Sequence, residues 1–392
     1  MTIAPQRAAV DPRYSTVCFV TSTQMGKTAA ALNVIGQKID DDPGPILYLG
    51  PTRNNVNSVI EPELTAMLRS VPHLWDATYK GRDANKLAKL IKGVAVRLGW
   101  TGSATEVASM SASLVILDEI DRMEDIPGEG DPLILARARL SDYPDGTLYI
   151  DATPTIGTSD TEIDPVNGLE FWTGDQQEIE SRVWRVFLSG TRHHFAVPCD
   201  GCGEWFVPRF SLLQMPERQK GQTNLQRARA SGLACPHCGE IHNDNKRMKL
   251  IMAGEYIAQG QQIVDGEVIG EPPDTNTASF WCSGLMSTKK SWADRVLDWL
   301  DAVDSGNPAT IQAVLNTSLA ELYSVSGEAP KWEEVAAFRE DYALPDMPDG
   351  IQKVFITVDV GERYLAYTVR GWGYKYESWG LEAGIIHADT ST

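Results

Sequence analysis

Two groups of residues in this chain combine types and spacings that can do chemistry. The first is Ser22-Thr23-Gln24-Met25-Gly26-Lys27-Thr28. It follows the apolar, β-branched run TVCFVT (16–21) and leads into the alanine-rich pattern TAAALNVIG (28–36). A strand, a tight turn with inward-pointing N–H groups and a helix N-terminus together make a cradle for phosphate. In such a cradle Lys27 reaches the β- and γ-phosphates of ATP, and the Thr28 hydroxyl ligates Mg²⁺. The standard pattern, G-x-x-x-x-G-K-[ST], has glycine where Thr21 stands, so Ser22, Thr23 and Gln24 are left to supply the turn. The alternative is a plain strand–turn–helix with an ordinary lysine.

An acid pair belongs with this loop. LVILDE (114–119) sends an apolar strand into Asp118-Glu119. A phosphate-loop NTPase needs one acid at a strand tip to hold Mg²⁺ and a second residue to activate water. Asp118 fits the first role and Glu119 the second. Acids drawn to a helix dipole are the alternative, but that leaves the apolar lead-in unexplained. A third strand ends in IDATPT (150–155), which makes Thr153 a candidate γ-phosphate sensor; a Thr-Pro turn leaving a strand accounts for it as well. LARARL (135–140) offers Arg137 and Arg139 as transition-state arginines, supplied to a neighbouring subunit. The ordinary reading of helical arginines is solvated surface charge.

The second group is CDGC (199–202) and CPHC (235–238), each followed by glycine. Thiolates of Cys199, Cys202, Cys235 and Cys238 at two tight turns make a closed tetrahedral Zn²⁺ site, structural because no ligand position is left open. Redox pairs are the alternative, but neither pair opens the helix of a thioredoxin-like unit. His193, His194, His237 and His242 read as surface or supporting groups, and Cys18 and Cys282 as buried thiols.

These groups need a fold to position them. The chain has 392 residues, 42% hydrophobic and 22% charged, enough for a sizeable core and two to three domains. Apolar runs at 16–22, 45–51, 93–100, 113–119 and 146–153 alternate with helical patterns at 27–39 and 58–71. That alternation predicts an α/β fold with a mostly parallel central sheet. The expected domains are a nucleotide-binding core over 1–189, a zinc-binding insertion over 190–250 and the rest of the core with lid helices over 251–339. A proline- and acid-rich linker over 340–350 then leads to the opening strands of a further domain over 351–392. The net charge of −18 argues against a general nucleic-acid footprint, though not against a local basic patch. The most basic stretch, 80–93, reads as a solvated helix face. No apolar run reaches membrane-spanning length, and the N-terminus lacks a secretion-signal pattern. A reducing compartment is therefore expected, which favours metal over disulfides.

In this order, TSTQMGKTAAALNVIGQKIDDDPGPILYLGPT, VILDEIDRM, DATPTIG, the cysteine knuckles, VLNTSLAELY, ITVDVGERY and GWGYKYESWG resemble the large subunit of lambda-type (GpA family) bacteriophage terminases, over nearly the whole chain. The resemblance implies a P-loop ATPase of the ASCE/RecA-like class that pumps double-stranded DNA into a procapsid. It also implies an inserted zinc-ribbon-like module and an RNase H-like nuclease. Gln24, Gly26, Lys27 and Thr28 become the Walker A residues, and Asp118 and Glu119 become Walker B and the catalytic glutamate. Thr153 falls in the coupling motif, Pro51-Thr52 in a loop near DNA, and Asp359 at the first metal-binding acid of the nuclease. The implied cofactors are ATP, Mg²⁺ and Zn²⁺. The implied partners are DNA, a terminase small subunit, a portal protein and further copies of the chain, in the host cytoplasm and docked on the procapsid.

Two departures from the family carry expectations of their own. Only residues 1–15 precede the phosphate-loop strand, too few for the family's usual adenine-holding segment. Two-metal nuclease chemistry needs several carboxylates, and Asp389 matches no later family acid. The nuclease domain is thus expected to be truncated, and inactive unless a second chain completes it. Readings from other classes are a superfamily-2-like DNA helicase or remodeller, and a non-enzymatic zinc-ribbon adaptor for DNA or capsid proteins.

Overall fold

Valine, isoleucine, leucine and aromatic residues fill the short runs of the first half, and these runs become strands. They are Thr16–Thr21 (β1), Ile46–Gly50 (β2), Ala88–Ile91 (β3), Val94–Trp100 (β4), Leu114–Asp118 (β5) and Thr147–Ala152 (β6). β1, β2 and β5 are buried along their whole length, as strands covered on both faces must be. The computed structural model describes residues 1–81, 85–102, 110–126, 128–324, 342, 347–360, 364–374 and 377–387, in two compact units, 1–325 and 326–392.

The central sheet of the first unit runs in the order Trp205–Phe206, His193–Pro198, Thr277–Cys282, β1, β6, β5, β2, β4, β3. From His193–Pro198 to β4 the neighbours are parallel. The outer pairings, including β3 on β4, are antiparallel. Parallel strands deliver all their C-terminal ends to one edge, where α/β proteins build their sites. β6 stands between the phosphate-loop strand β1 and the acid-bearing strand β5. Two apolar layers cover the sheet. One holds Phe19, Ile35, Tyr48, Leu64 and Tyr149, and the other Val20, Leu117, Ile150, Trp184 and Trp281.

The sheet crosses both limits drawn for a separate insertion at 190–250. His193–Pro198 pairs with Thr277–Cys282, which pairs with β1. The cysteines sit beyond this strand, next to a small antiparallel sheet of Leu213–Gln214, Gly232–Ala234 and Ile241–His242. Among the described residues of the basic stretch at 80–93 there is no helix face either: 88–91 form β3, and three of its lysines are engaged. Lys89 lies 2.8 Å from Glu61, Lys92 lies 2.7 Å from Asp40, and Lys80 sits 4.3 Å over the Trp75 ring. The second unit contains a three-stranded antiparallel sheet of Lys353–Val360, Tyr364–Trp372 and Ser378–His387.

Candidate functional site

β1 keeps its pairing to the last residue. Thr21 stays in register with Cys282, and its hydroxyl donates to the Cys282 carbonyl at 2.9 Å. No glycine is needed at 21 because the backbone there is still strand. The left-handed residues come later, at Gln24 (φ 63°) and Gly26 (φ 88°). Gly26 is also the residue that opens the helix Lys27–Asp41, whose first N–H groups have no intrahelical partner and face the loop. Lys27 Nζ lies 3.4 Å from the Thr21 carbonyl, 3.2 Å from the Ser22 carbonyl and 3.2 Å from Glu119 Oε1.

The acids lie at the ends of the neighbouring strands. Asp118 is buried and accepts the Tyr48 hydroxyl at 2.8 Å. Directly opposite it in register is Asp151 on β6, fully buried, with neither oxygen hydrogen-bonded to a donor. Burial first, and the Asp118 charge second, push Asp151 well above the usual carboxylate range. Burial and Glu119 raise Asp118 as well. The two carboxyls thus face each other across the strand ends, both raised above the usual carboxylate range by burial and by neighbouring acids. Sequence reasoning missed Asp151; its signal was an acid inside the apolar run LYIDA, two residues before Thr153 and so on the same side of the strand.

Glu119 adopts a left-handed conformation (φ 57°), and its N–H donates to the Asp151 carbonyl at 2.8 Å. This turns its carboxylate toward Lys27 and the end of β6. Glu119 Oε2 accepts both the N–H and the hydroxyl of Thr153 at 3.3 Å and lies 3.7 Å from Arg122 Nε. Burial raises its pKa, but Lys27 and Arg122 outweigh burial and leave it lowered. Glu119 is thus a carboxylate held in its charged form and tethered to the candidate sensor. Asp121 accepts from Thr155 at 2.8 Å, from the Val183 N–H at 2.7 Å and from the Ser181 hydroxyl, which fixes the loop after β6 to the helix Arg182–Ser189.

A segment far along the chain touches both loops. Thr23 donates its N–H and its hydroxyl to the Thr317 carbonyl at 2.9 and 3.0 Å. Asn316 Nδ2 and the Tyr323 N–H donate to the Thr155 carbonyl at 2.7 and 3.0 Å. A cavity of about 220 Å³ opens here, lined in part by Arg122, Thr153, Thr155, Asn316 and Thr317. At the other end of the chain, Thr2 lies against the phosphate loop: a Cβ added to Gly26 would sit 3.4 Å from its methyl. Gln6 accepts from Asn33 of the first loop helix at 3.2 Å. Thr2 and Gln6 thus lie against the loop at 22–26 and the helix after it despite how few residues precede β1.

The four cysteine sulfurs lie within 4.8 Å of one another, with Cys199–Cys238 at 3.7 Å and Cys202–Cys235 at 3.8 Å. A tetrahedron with Zn–S bonds of about 2.3 Å requires S···S spacings of about 3.8 Å, so the donor set fits Zn²⁺. The two knuckles are copies. Cys199 N–H donates to Glu204 O and Gly203 N–H to Cys199 O, both at 2.9 Å; Cys235 and Gly239 repeat this with Glu240 O at 2.9 and 3.0 Å. The glycines after each pair are left-handed, at φ 82° and 77°. His242 is buried with Nε2 3.4 Å from Cys199 Sγ, and His237 Nε2 lies 3.0 Å from Trp205 O. His193 and His194 belong to the central sheet instead. His193 stacks on Phe280, and His194 accepts the Trp172 N–H at 3.0 Å.

Other expected residues lie apart from this site. Arg137 and Arg139 end the helix Pro132–Arg139, and the Arg139 carbonyl accepts the Ala112 N–H at 2.9 Å. That places them at the start of β5, the opposite end of the strand from Asp118, so neither reaches Lys27 within the chain. Arg122 is the arginine beside Glu119. Pro51-Thr52 follow β2 at the site's edge of the sheet, where Thr52 accepts the Asn55 N–H at 3.1 Å. Asp359 is exposed on the strand Lys353–Val360, opposite Ala366. Among the described residues it joins no cluster of metal-binding side chains; Asp389 lies outside the described residues.

A family model described as phage terminase large subunit gpA, ATPase domain, matches residues 2–256. The chain belongs to this terminase family. The model for the endonuclease domain of the same subunit matches residues 277–392. The nuclease domain of a gpA terminase is therefore represented here, and the truncation expected from the sequence is not supported. Its match begins at the strand Thr277–Cys282, which is inserted in the central sheet beside β1. The terminase large subunit of Escherichia phage lambda is 32% identical over 133 residues, which is 32% of this chain and 20% of that protein. The match thus spans a fifth of that relative's length. Among solved structures, the large terminase ATPase domain of Thermus phage P74-26 is 14% identical with a TM-score of 0.42, covering 81% of this chain and 92% of that one. The large terminase of bacteriophage HK97 is 10% identical with a TM-score of 0.44, covering 97% and 60%. For this terminase, no helix among the described residues is long and apolar enough to cross a membrane.

Proposed function

We propose that the first unit is the ATP-hydrolysing motor of a terminase that translocates double-stranded DNA into a procapsid. The observation that carries this reading is the tether Lys27–Glu119–Thr153, assembled where three parallel strands end, in a gpA-family chain. Ser22 to Thr28 cradle the phosphates, with Lys27 on the β- and γ-oxygens. Mg²⁺, held by Thr28 and Asp118, would neutralise phosphate charge. The anionic Glu119 orients and deprotonates the attacking water once Lys27 moves from it to phosphate. Thr153, released or kept by Glu119, passes the change to the 155–157 loop. Arg139 retains only a role toward a neighbouring copy. Cys199, Cys202, Cys235 and Cys238 hold a structural Zn²⁺, and Asp359 supplies the first metal-binding acid of the nuclease. DNA, a small subunit, a portal and further copies are the partners, and the host cytoplasm is the place of action. No observation favours a helicase or a non-enzymatic adaptor.

The test is DNA-stimulated ATP hydrolysis by wild type, Lys27→Ala and Glu119→Gln. The reading expects hydrolysis by wild type and its loss in both variants. Hydrolysis by either variant at the wild-type rate refutes it, and a wild type that binds ATP in no condition supports the adaptor.

A further inference from the structure

We infer that Arg295, on the helix Trp292–Ser305, is a positioning residue for the phosphate loop, bracing Ser22 against the turn at Ser318. The inference rests on the ATPase reading of that loop. Arg295 is 1% exposed, and among the described residues it ion-pairs with no acid. Asp298 and Asp294 act on it only through space, and taking a guanidinium out of water without a direct ion pair is costly, so its contacts must explain its retention. Nη2 donates to Ser22 Oγ at 3.3 Å, and Nη1 donates to Ser318 Oγ at 3.0 Å and to the Ser318 carbonyl.

The planar fork of arginine suits two acceptors on different elements, which a lysine cannot hold at once. Here one acceptor is the first residue after β1 and the other belongs to the π-helical turn Val314–Leu319. The backbone is shaped for this approach. A Cβ on Gly284 would overlap the Ser318 carbonyl and crowd Arg295 Nη1, and the Trp281 indole N–H closes the turn on the Ala320 carbonyl at 2.7 Å. The brace meets the loop where the standard pattern would have begun its turn, immediately after Thr21. Burial lowers the Arg295 pKa to about 10, which leaves it charged at neutral pH. A fixed cation therefore stands behind the loop while Lys27 stands in front, and both favour bound phosphate.

The experiment measures ADP affinity by calorimetry, and KM and kcat for ATP, on the full chain. Arg295→Gln is expected to weaken ADP and raise KM by on the order of tenfold, one decade of affinity, with kcat changed less than threefold. Arg295→Lys should fall between. Ser22→Ala combined with Arg295→Gln should bind ADP no more weakly than the worse single variant, because both break one brace. A merely structural arginine would lower the folded fraction and leave KM unmoved. A folded Arg295→Gln with wild-type ADP affinity, or additive losses in the double variant, overturns the brace. If Arg295→Gln does not fold, Arg295→Lys and Ser22→Ala decide, and wild-type affinity in both overturns it. Wild type that fails to bind ADP instead refutes the ATPase reading.

Discussion

At Cys199–Gly203 and Cys235–Gly239 the chain folds each turn with its own hydrogen bonds, a left-handed glycine and four sulfurs at ion-binding distance. The phosphate loop at 22–26 does less for itself. Its left-handed residues include Gln24, and its supports arrive from Arg295 and Thr317, more than 250 residues away. A metal supplies the energy that organises a knuckle. A phosphate loop must hold its shape between nucleotides, so its surroundings have to provide that energy.

The largest effect should come from the base. Glu119→Gln is expected to cut hydrolysis by about 10²- to 10⁴-fold, the usual worth of a positioned general base, while leaving zinc content intact. Metal loss measured in that variant would show the two regions to be linked. Next, Cys199→Ser with Cys235→Ser should abolish bound zinc by metal analysis and expose 199–242 to proteolysis, with ADP affinity within threefold of wild type. Loss of ADP binding there would break the contrast, since it would make the loop depend on the knuckles.

Acid titration should show a smaller effect. His193 is half-buried beneath Phe280 with its pKa lowered to about 4 by desolvation, and His194, fully buried, is lowered too. Between pH 6.5 and 4 the unfolded chain binds protons that the folded chain refuses. Stability is thus fully present above 6.5 and falls as pH drops, by up to about 1.4 kcal/mol per pH unit for each group. Denaturant midpoints across this range check it, and His193→Gln should flatten the slope. The smallest effect is Gln24→Gly, which should stabilise by about 1 kcal/mol by removing a left-handed side chain. A Tm that falls would mean that the Gln24 side chain itself supports the loop.

The strands were readable because each is a short apolar run bounded by turn residues, and the knuckles because their spacing is itself their geometry. That Asp118, Glu119 and Thr153 would meet at one edge of the sheet was readable for the same reason: each stands at or just past the end of such a run. Asp151 was hidden inside one. Arg295 was hidden among ordinary helical charges, because what distinguishes it is burial against Ser22 and Ser318, a relation between distant segments with no local signature. The stretch at 80–93 misled because two of its lysines, Lys89 and Lys92, lie on and just after a β-strand and pair with Glu61 and Asp40. The domain limits failed at 190 because a strand entering the central sheet reads the same as one entering a module.

The strand Thr277–Cys282 is laid down beside β1 only after most of the chain has been made. At ribosomal rates of roughly 5–20 residues per second, about 10 to 50 seconds separate the emergence of the two. Through that interval β1 presents an open parallel edge of TVCFVT, the kind of apolar edge that pairs with strangers. The phosphate loop then lacks its brace as well as its neighbour. Nascent chains should therefore demand chaperone cover until Ser318 has left the ribosome, and a host poor in such cover should yield aggregate in place of folded chain.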